Sequence, residues 1–324
     1  MTEYIVKKSM SNFEIIKCHG SGNDFIMVDV TRLSEGDTID WSTFARIACD
    51  RTTGIGSDGV LLVVRNNDGI YGMDMLNPDG THAEMCGNGI RCVARLATDR
   101  GYLEAGVLSS GGRTFPTRHA EPIAEGVEAF AVEIPISTWS ESFGFFNADD
   151  TFVGKTIANL DSKLPFTALN LGNPHVVAVV DKIDMAHLEV LGERVKSLKH
   201  EFPHGVNVSL YEVLSPRSIF VATYERGAGI TLSCGTAMTA SATAAALLGH
   251  IATDERIEVF NRGGKVVCST HIDKSIVTTL EGNATFEWFG TAEFDGTTLH
   301  YDITHHTGEA ECWQRFVDSI QSNR

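Results

Sequence analysis

Two Cys-Gly pairs, Cys86-Gly87 and Cys234-Gly235, stand in similar surroundings in this chain of 324 residues. A thiol reacts as its thiolate, and the unpaired N–H groups and dipole of a helix N-terminus stabilise that charge and lower the thiol pKa. The same N–H groups can bind a carboxylate. Two such thiols on opposite sides of a bound carbon could take a proton from one face and return one to the other. That is the chemistry needed to invert a stereocentre next to a carboxylate. The anion cradle would stabilise the charge that builds up as the proton leaves. The glycine after each cysteine is expected to let the backbone approach a ligand closely. The remaining cysteines, Cys18, Cys49, Cys92, Cys268 and Cys312, are expected to be small apolar fillers.

The elements that must place these thiols are written twice. Residues 71–76 and 219–224 read as strands, each followed by a glycine-containing loop that arrives at Cys-Gly. Asn77 precedes Cys86 by nine residues, and Glu225 precedes Cys234 by nine. Each cysteine opens a helical stretch that ends near a glycine, Gly101 or Gly249, and a paired-glycine turn follows at Gly111-Gly112 and Gly263-Gly264. Residues 237–248 carry no charge, so that helix should be enclosed on all sides. His19-Gly-Ser-Gly-Asn23 and Leu171-Gly-Asn-Pro-His175 form a candidate third matching pair. A repeat of this kind predicts two similar α/β halves with a cleft between them.

Composition bounds the partners. With 43% hydrophobic and 21% charged residues the chain can bury a proper core, and a net charge of −16 repels phosphates and anionic lipid surfaces. Nucleic acid and membrane are therefore not expected as partners. No apolar run approaches the roughly 18 residues of a membrane helix, and the N-terminus lacks the apolar segment of an export signal. Seven cysteines, an odd number, then point to reduced thiols in the cytoplasm, and none shows zinc-ligand spacing. Asn207-Val-Ser209 and Asn283-Ala-Thr285 match the glycosylation pattern only by chance on this reading.

Eight short segments in order resemble diaminopimelate epimerase. They are His19-Gly-Ser-Gly-Asn-Asp-Phe25, Thr53-Gly-Ile-Gly-Ser-Asp-Gly59, Asn77-Pro-Asp-Gly80 and Met85-Cys-Gly-Asn-Gly-Ile-Arg-Cys92, then Gly172-Asn-Pro-His175, Gly205-Val-Asn207, Glu225-Arg-Gly-Ala-Gly229 and Ser233-Cys-Gly-Thr236. The likeness runs from about residue 14 to 290, where residues 280–290 look like that family's closing strand. It implies that Cys86 and Cys234 are the acid/base thiols and that the amides of Gly87, Asn88, Gly235 and Thr236 hold the reacting carboxylate. It also implies that Asn23, Asn77, Asn173, Asn207 and Arg226 bind substrate, that His175 and Glu225 support the reacting centre or its ammonium, and that neither a cofactor nor a metal takes part. A separate physical argument supports Glu225 and Arg226, since a second amino-acid head needs an anion for its ammonium and a bidentate cation for its carboxylate. The chain departs from the family pattern at Ile230, usually Glu, and at Ala237, usually Gly.

Gly54-Ile-Gly-Ser-Asp-Gly59 fits the dinucleotide fingerprint, but it follows a helix-like run at 41–50 and opens a strand-like run at 60–64. That order is the reverse of what the fingerprint requires, so no dinucleotide is implied. The expected fold is α/β (α+β), with two pseudo-symmetric domains, each a mostly antiparallel or mixed sheet wrapped around a central helix. Residues 1–134 form one domain with a return at about 283–290, residues 135–282 form the other, and 291–324 is an extension with a helix over 309–321. The expected reaction interconverts L,L- and meso-diaminopimelate in a cleft that closes on substrate. Its rivals are a racemase of another amino acid such as histidine, a non-catalytic amino-acid-binding protein, and a thiol redox sensor. A small amino acid is the expected partner, and a homodimer is left open.

Overall fold

The computed structural model describes residues 10–34, 38–83, 85–103, 106–138, 143–144 and 151–322, so the reading of residues 1–9 lies outside it. The first half runs β1 (Ser11–Gly20), β2 (Asn23–Asp29), α1 (Trp41–Ala48), β3 (Gly59–Arg65), β4 (Tyr71–Leu76), β5 (His82–Ala83), α2 (Gly87–Asp99), β6 (Val107–Ser110), β7 (Arg113–Ala124) and β8 (Val127–Ile136). After β9 (Lys155–Ile157), the second half runs β10 (Asp161–Asn170), β11 (Pro174–Val179), α3 (Met185–Val195), β12 (Asn207–Ser215), β13 (Ser218–Glu225), β14 (Gly229–Ile230), α4 (Gly235–Leu247), β15 (Ile257–Asn261), β16 (Gly264–Ile272) and β17 (Ile276–Asn283). The chain ends with β18 (Thr285–Phe294), β19 (Leu299–His306) and α5 (Glu309–Ser322).

The two halves repeat step for step. Antiparallel β1–β2 corresponds to β10–β11, and parallel β2–β3 across α1 corresponds to parallel β11–β12 across α3. Parallel β4–β6 across α2 likewise corresponds to parallel β13–β15 across α4, and two antiparallel ladders follow in each half. The halves join where their last strands pair, β8 antiparallel to β17. The chain crosses over on both sides of this seam, so that β18 adds to β1 and β9 adds to β10. Pairing order is therefore symmetric about the β8–β17 ladder, as the sequence repeat predicts. Residues 280–290, expected as one closing strand, are instead two strands split at Ala284. Asn283 pairs with Ala129 and Thr285 with His19, so the chain changes sheet partner within two residues.

Each half has an inner and an outer helix. One apolar core encloses α2 and α4 and draws on both halves, with Ile90, Val93, Phe115, Leu169, Ala244 and Leu280 among its residues. Separate outer cores lie under α1 and α3. Alanine favours helix and adds little bulk, so α4 can run through the middle of the molecule. Its hydroxyls are satisfied internally, with Thr239, Ser241 and Thr243 donating to the carbonyls four residues back at 2.8–2.9 Å. Gly101 and Gly249, at φ 72° and 73°, end α2 and α4 in the left-handed conformation that helix C-termini favour. No helix among the described residues is long and apolar enough to cross a membrane.

Candidate active site

Cys86 and Cys234 are the N-cap residues of α2 and α4, with nearly identical backbones of φ −135°, ψ 110° and φ −132°, ψ 110°. The two helix starts meet head to head. A Cβ on Gly235 would lie 2.8 Å from Asn88 Oδ1, and one on Gly87 would crowd Leu280 at 3.1 Å and reach Gly235 at 4.0 Å. The glycines were expected to admit a ligand. In the structure Gly235 also lets one helix approach the other, because a Cβ there would clash with Asn88 of the facing N-terminus, whereas one at Gly87 would crowd only the Leu280 side chain.

Both thiols line one cleft of about 1390 Å³, larger than the ~300–1,000 Å³ typical of small-molecule pockets. With them, of the residues singled out from sequence, come Asn23, Asn77, Gly87, Asn88, Asn173, Glu225, Arg226, Gly235 and Thr236. His175 and Asn207 do not line it. His175 is fully buried, with Nε2 3.0 Å from Asn173 Oδ1 and Nδ1 unpartnered. Burial, helped by the charge of Arg226, pushes its pKa down to about 3, so it is neutral at ordinary pH and stands behind Asn173. Asn173 in turn donates to Thr236 Oγ1 at 3.2 Å. Asn207 accepts from the Arg226 amide at 2.9 Å and donates to the Pro174 carbonyl at 3.1 Å, tying the loop that carries Arg226 to β11.

The two thiols differ in their surroundings. The Cys86 sulfur accepts from the Gly89 amide at 3.4 Å and lies 3.8 Å from Asn23 Oδ1. Cys234 lies 3.5 Å from Thr236 Oγ1, with the Ala237 amide and the carboxylate of Glu225 close by. Helix N-termini were expected to lower both pKa values. In the structure burial raises them, Cys86 to about 11 against the pull of the Gly89 and Asn88 amides and Arg91. For Cys234, burial and the charge of Glu225 act together. A helix terminus supplies about 0.3–2 kcal/mol, whereas full burial can move a titration by several units, so desolvation wins in the free cleft. Glu225 is itself raised by burial, although the Thr231 and Cys234 side chains oppose this. Among the described residues Glu225 and Arg226 form no ion pair, and Arg226 donates to the His204 carbonyl at 3.0 Å.

At pH 8 without ligand, iodoacetamide is therefore expected to modify both thiols more slowly than free cysteine, Cys86 ahead of Cys234. The rate should climb about tenfold per pH unit. Mass spectrometry of the labelled peptides reads this directly, and a Cys86 or Cys234 more reactive than free cysteine at pH 7 would contradict it.

Several groups in and behind the cleft wall escaped the reading from sequence. Arg91 is fully buried beneath the first turn of α2, with no carboxylate partner among the described residues. Its guanidinium donates to Gly87 O, Asn88 Oδ1, Ser21 Oγ and Asn283 O at 2.9–3.2 Å. Cβ atoms on Gly20 and Gly282 would sit 3.0 and 2.7 Å from it, so two bare backbones flank the cation. Asn283 holds the β1–β2 turn through the Ser21 amide at 2.6 Å, and Ser21 there takes a positive φ of 54°. Lys17, Asp24, Arg51 and Asp58 form an ion-pair network at the same turn. Burial opposes ionisation of Asp24, but hydrogen bonds from Arg51 and Lys17 hold its pKa down at about 2. Asp24, Asp58 and Arg91 stand inside the segments that resemble the family, which was the available signal, but without a fold their burial and their partners are not legible. Ile230 and Ala237, the two departures, lie at the cleft wall and buried beside Cys234 respectively.

Comparison with known proteins bears on this geometry. Diaminopimelate epimerase of Clostridium acetobutylicum is 36% identical over 95% of this chain and 95% of its own length. That of Lactiplantibacillus plantarum is 38% identical over 95% of this chain and 98% of its own. At these coverages at least part of segment 291–324 aligns with such relatives. A solved hydroxyproline epimerase from Agrobacterium vitis superposes with a TM-score of 0.59 at 13% identity, over 89% of this chain and 93% of that one, which shows a shared two-domain fold. A sequence model described as diaminopimelate epimerase matches residues 15–121 and 167–287, which takes in both thiols and both halves of the repeat. By that match, and by relatives above 30% identity along nearly its whole length, the chain belongs to the diaminopimelate epimerase family.

Proposed function

We propose that this chain is an isomerase that interconverts L,L- and meso-diaminopimelate, working in the cytoplasm with reduced thiols. One observation carries the reading: two helix N-termini, each capped by a cysteine, meet head to head on one cleft. A substrate carboxylate set against the amides of Gly87, Asn88, Gly235 and Thr236 places Cα between the sulfurs. The thiolate on one side takes the α-proton, and the carbanion so formed takes a proton from the thiol on the other. No electrons are gained or lost, and the reverse reaction exchanges the two roles. The substrate's ammonium offsets the desolvation that keeps the free thiols protonated, so ionisation follows binding. Glu225 and Asn173 stand where they can hold polar groups at the reacting carbon, while Arg226 and Asn77 offer partners for the second amino-acid head.

The test is α-hydrogen exchange in D₂O followed by NMR on reduced protein without added cofactor. Deuterium entering diaminopimelate together with interconversion of its isomers is the expected result. A second reading, a racemase of a single-headed amino acid such as histidine, draws on Ile230, an apolar wall residue where the family pattern has a carboxylate. Exchange in that amino acid and none in diaminopimelate would replace the first reading with the second.

A further inference from the structure

The family sequence model stops at residue 287, yet α5 beyond it reaches the cleft. Ala310, Trp313 and Gln314 line it next to His19 and Glu287. Trp313 is 6% exposed, and its ring lies 5.4 Å from that of His19 on β1. The indole also lies against Gly264, where a Cβ would meet it at 2.9 Å. His19 belongs to the first half and Gly264 to the β15–β16 turn of the second, so one indole fills the gap between the halves. Only a bare backbone at Gly264 leaves room for it.

The helix is latched from its first residue. Glu309 takes a two-pronged grip from Arg95, with Nη1 to Oε2 at 2.6 Å and Nη2 to Oε1 at 2.7 Å, and it accepts the Phe286 amide at 3.1 Å. Arg95 is largely buried, its guanidinium 4.1 Å from the Phe286 ring. Such a bidentate, partly buried pair fixes geometry far better than an exposed one. Arg95 stands on α2, the helix that Cys86 opens, so α5 is held by the element that positions a reacting thiol. Val317 adds an apolar hold on Val127.

We propose that α5 is an end wall of the catalytic cleft, and that Trp313 is a specificity-determining residue that limits the size of amino acid the cleft admits. This rests on the epimerase reading of the same cleft. A fitted wall discriminates one methylene by about 10–200-fold. The experiment compares wild type and Trp313→Ala on diaminopimelate and on 2,7-diaminosuberate, which is longer by one methylene. The substitution should raise KM for diaminopimelate about tenfold with a smaller change in kcat. The preference for diaminopimelate over the longer homologue should collapse by tenfold or more. Trp313→Phe should recover part of both, and Glu309→Gln, which loosens the latch, should move selectivity in the same direction. A role confined to stability would lower Tm and leave the selectivity ratio alone. An unchanged ratio in folded Trp313→Ala therefore overturns the proposal. Failure of wild type to exchange either compound would instead overturn the epimerase reading, and this proposal with it.

Discussion

Cys86→Ala and Cys234→Ala should each lower epimerisation by about 10³–10⁴-fold, because each removes one of two proton carriers and a positioned acid or base contributes about 10²–10⁴. Loss of the whole two-sided mechanism belongs at the upper end of that range. The variants should fail differently. With one thiol left, a single face of Cα can still exchange its proton with solvent, so slow deuterium entry without inversion is expected, into opposite isomers for the two variants. The fold should tolerate both changes within about 1 kcal/mol, since each removes one sulfur from a cleft wall and leaves no uncompensated charge. NMR in D₂O with a thermal melt separates lost chemistry from lost structure. Either variant keeping a tenth of wild-type epimerisation would end the two-thiol mechanism.

Arg91→Met should be the most damaging change that touches no substrate. It leaves four buried acceptors, Gly87 O, Asn88 Oδ1, Ser21 Oγ and Asn283 O, without their donor. Each unmet acceptor costs about 1–3 kcal/mol, so with relaxation a loss of about 3–5 kcal/mol is expected, or roughly 10 °C in Tm. Burial lowers the guanidinium pKa to about 10, so the group is still a cation at neutral pH. Its charge favours the Cys86 thiolate; removing it raises that thiol further and moves the onset of alkylation to higher pH. Misplacing the Gly87 and Asn88 amides should cost about 10²–10³ in kcat, the usual penalty for losing a donor aimed at developing negative charge. Arg91→Lys keeps a cation but not the fork of bonds. It should restore the alkylation profile more than the Tm. A melting temperature unchanged in Arg91→Met would refute the account.

The asymmetry beneath the two thiols makes Arg91 informative. The position in α4 that corresponds to it, 148 residues on, is Thr239, a neutral residue whose hydroxyl donates to the Gly235 carbonyl. Cys86 therefore has a buried cation below it, and Cys234 has the Glu225 carboxylate beside it. The repeat supplies two thiols, and the substituents around them make the two unequal.

Much of this was legible from one sequence because it is local. Strand 71–76, the cysteines as helix openers and the glycines that end both helices depend on chain conformation and near neighbours, and the structure has each of them. The helix expected over 309–321 is present as Glu309–Ser322. The reversed order around Gly54–Gly59, helix before and strand after, also stands. The repeat carried further than any single motif, since it predicted paired halves and a shared cleft from spacing alone.

What spacing could not carry is whatever depends on contacts between residues far apart in the chain. The direction of the thiol shifts was expected from the helix dipole, a local effect. Burial by the opposite half reverses it, and no short segment encodes burial. Gly235 reads as room for a ligand, but the Asn88 side chain of the facing helix start lies against it, a contact no local segment encodes. His175 sits behind Asn173, not on the cleft, because β11 alternates its faces and turns His175 toward the core. Residues 280–290 read as one closing strand by likeness to the family, but Ala284 marks where pairing passes from β8 to β1. Segment 291–324 read as an extension because it lies beyond the end of the family likeness, yet the Arg95–Glu309 grip spans 214 residues and sets α5 against the cleft. The sequence by itself determined the repeat, the two thiols and the reaction they suit. Tertiary structure alone decided which thiol stands over a cation, how far each is desolvated and what closes the end of the cleft, since these follow from long-range packing and the dielectric it creates.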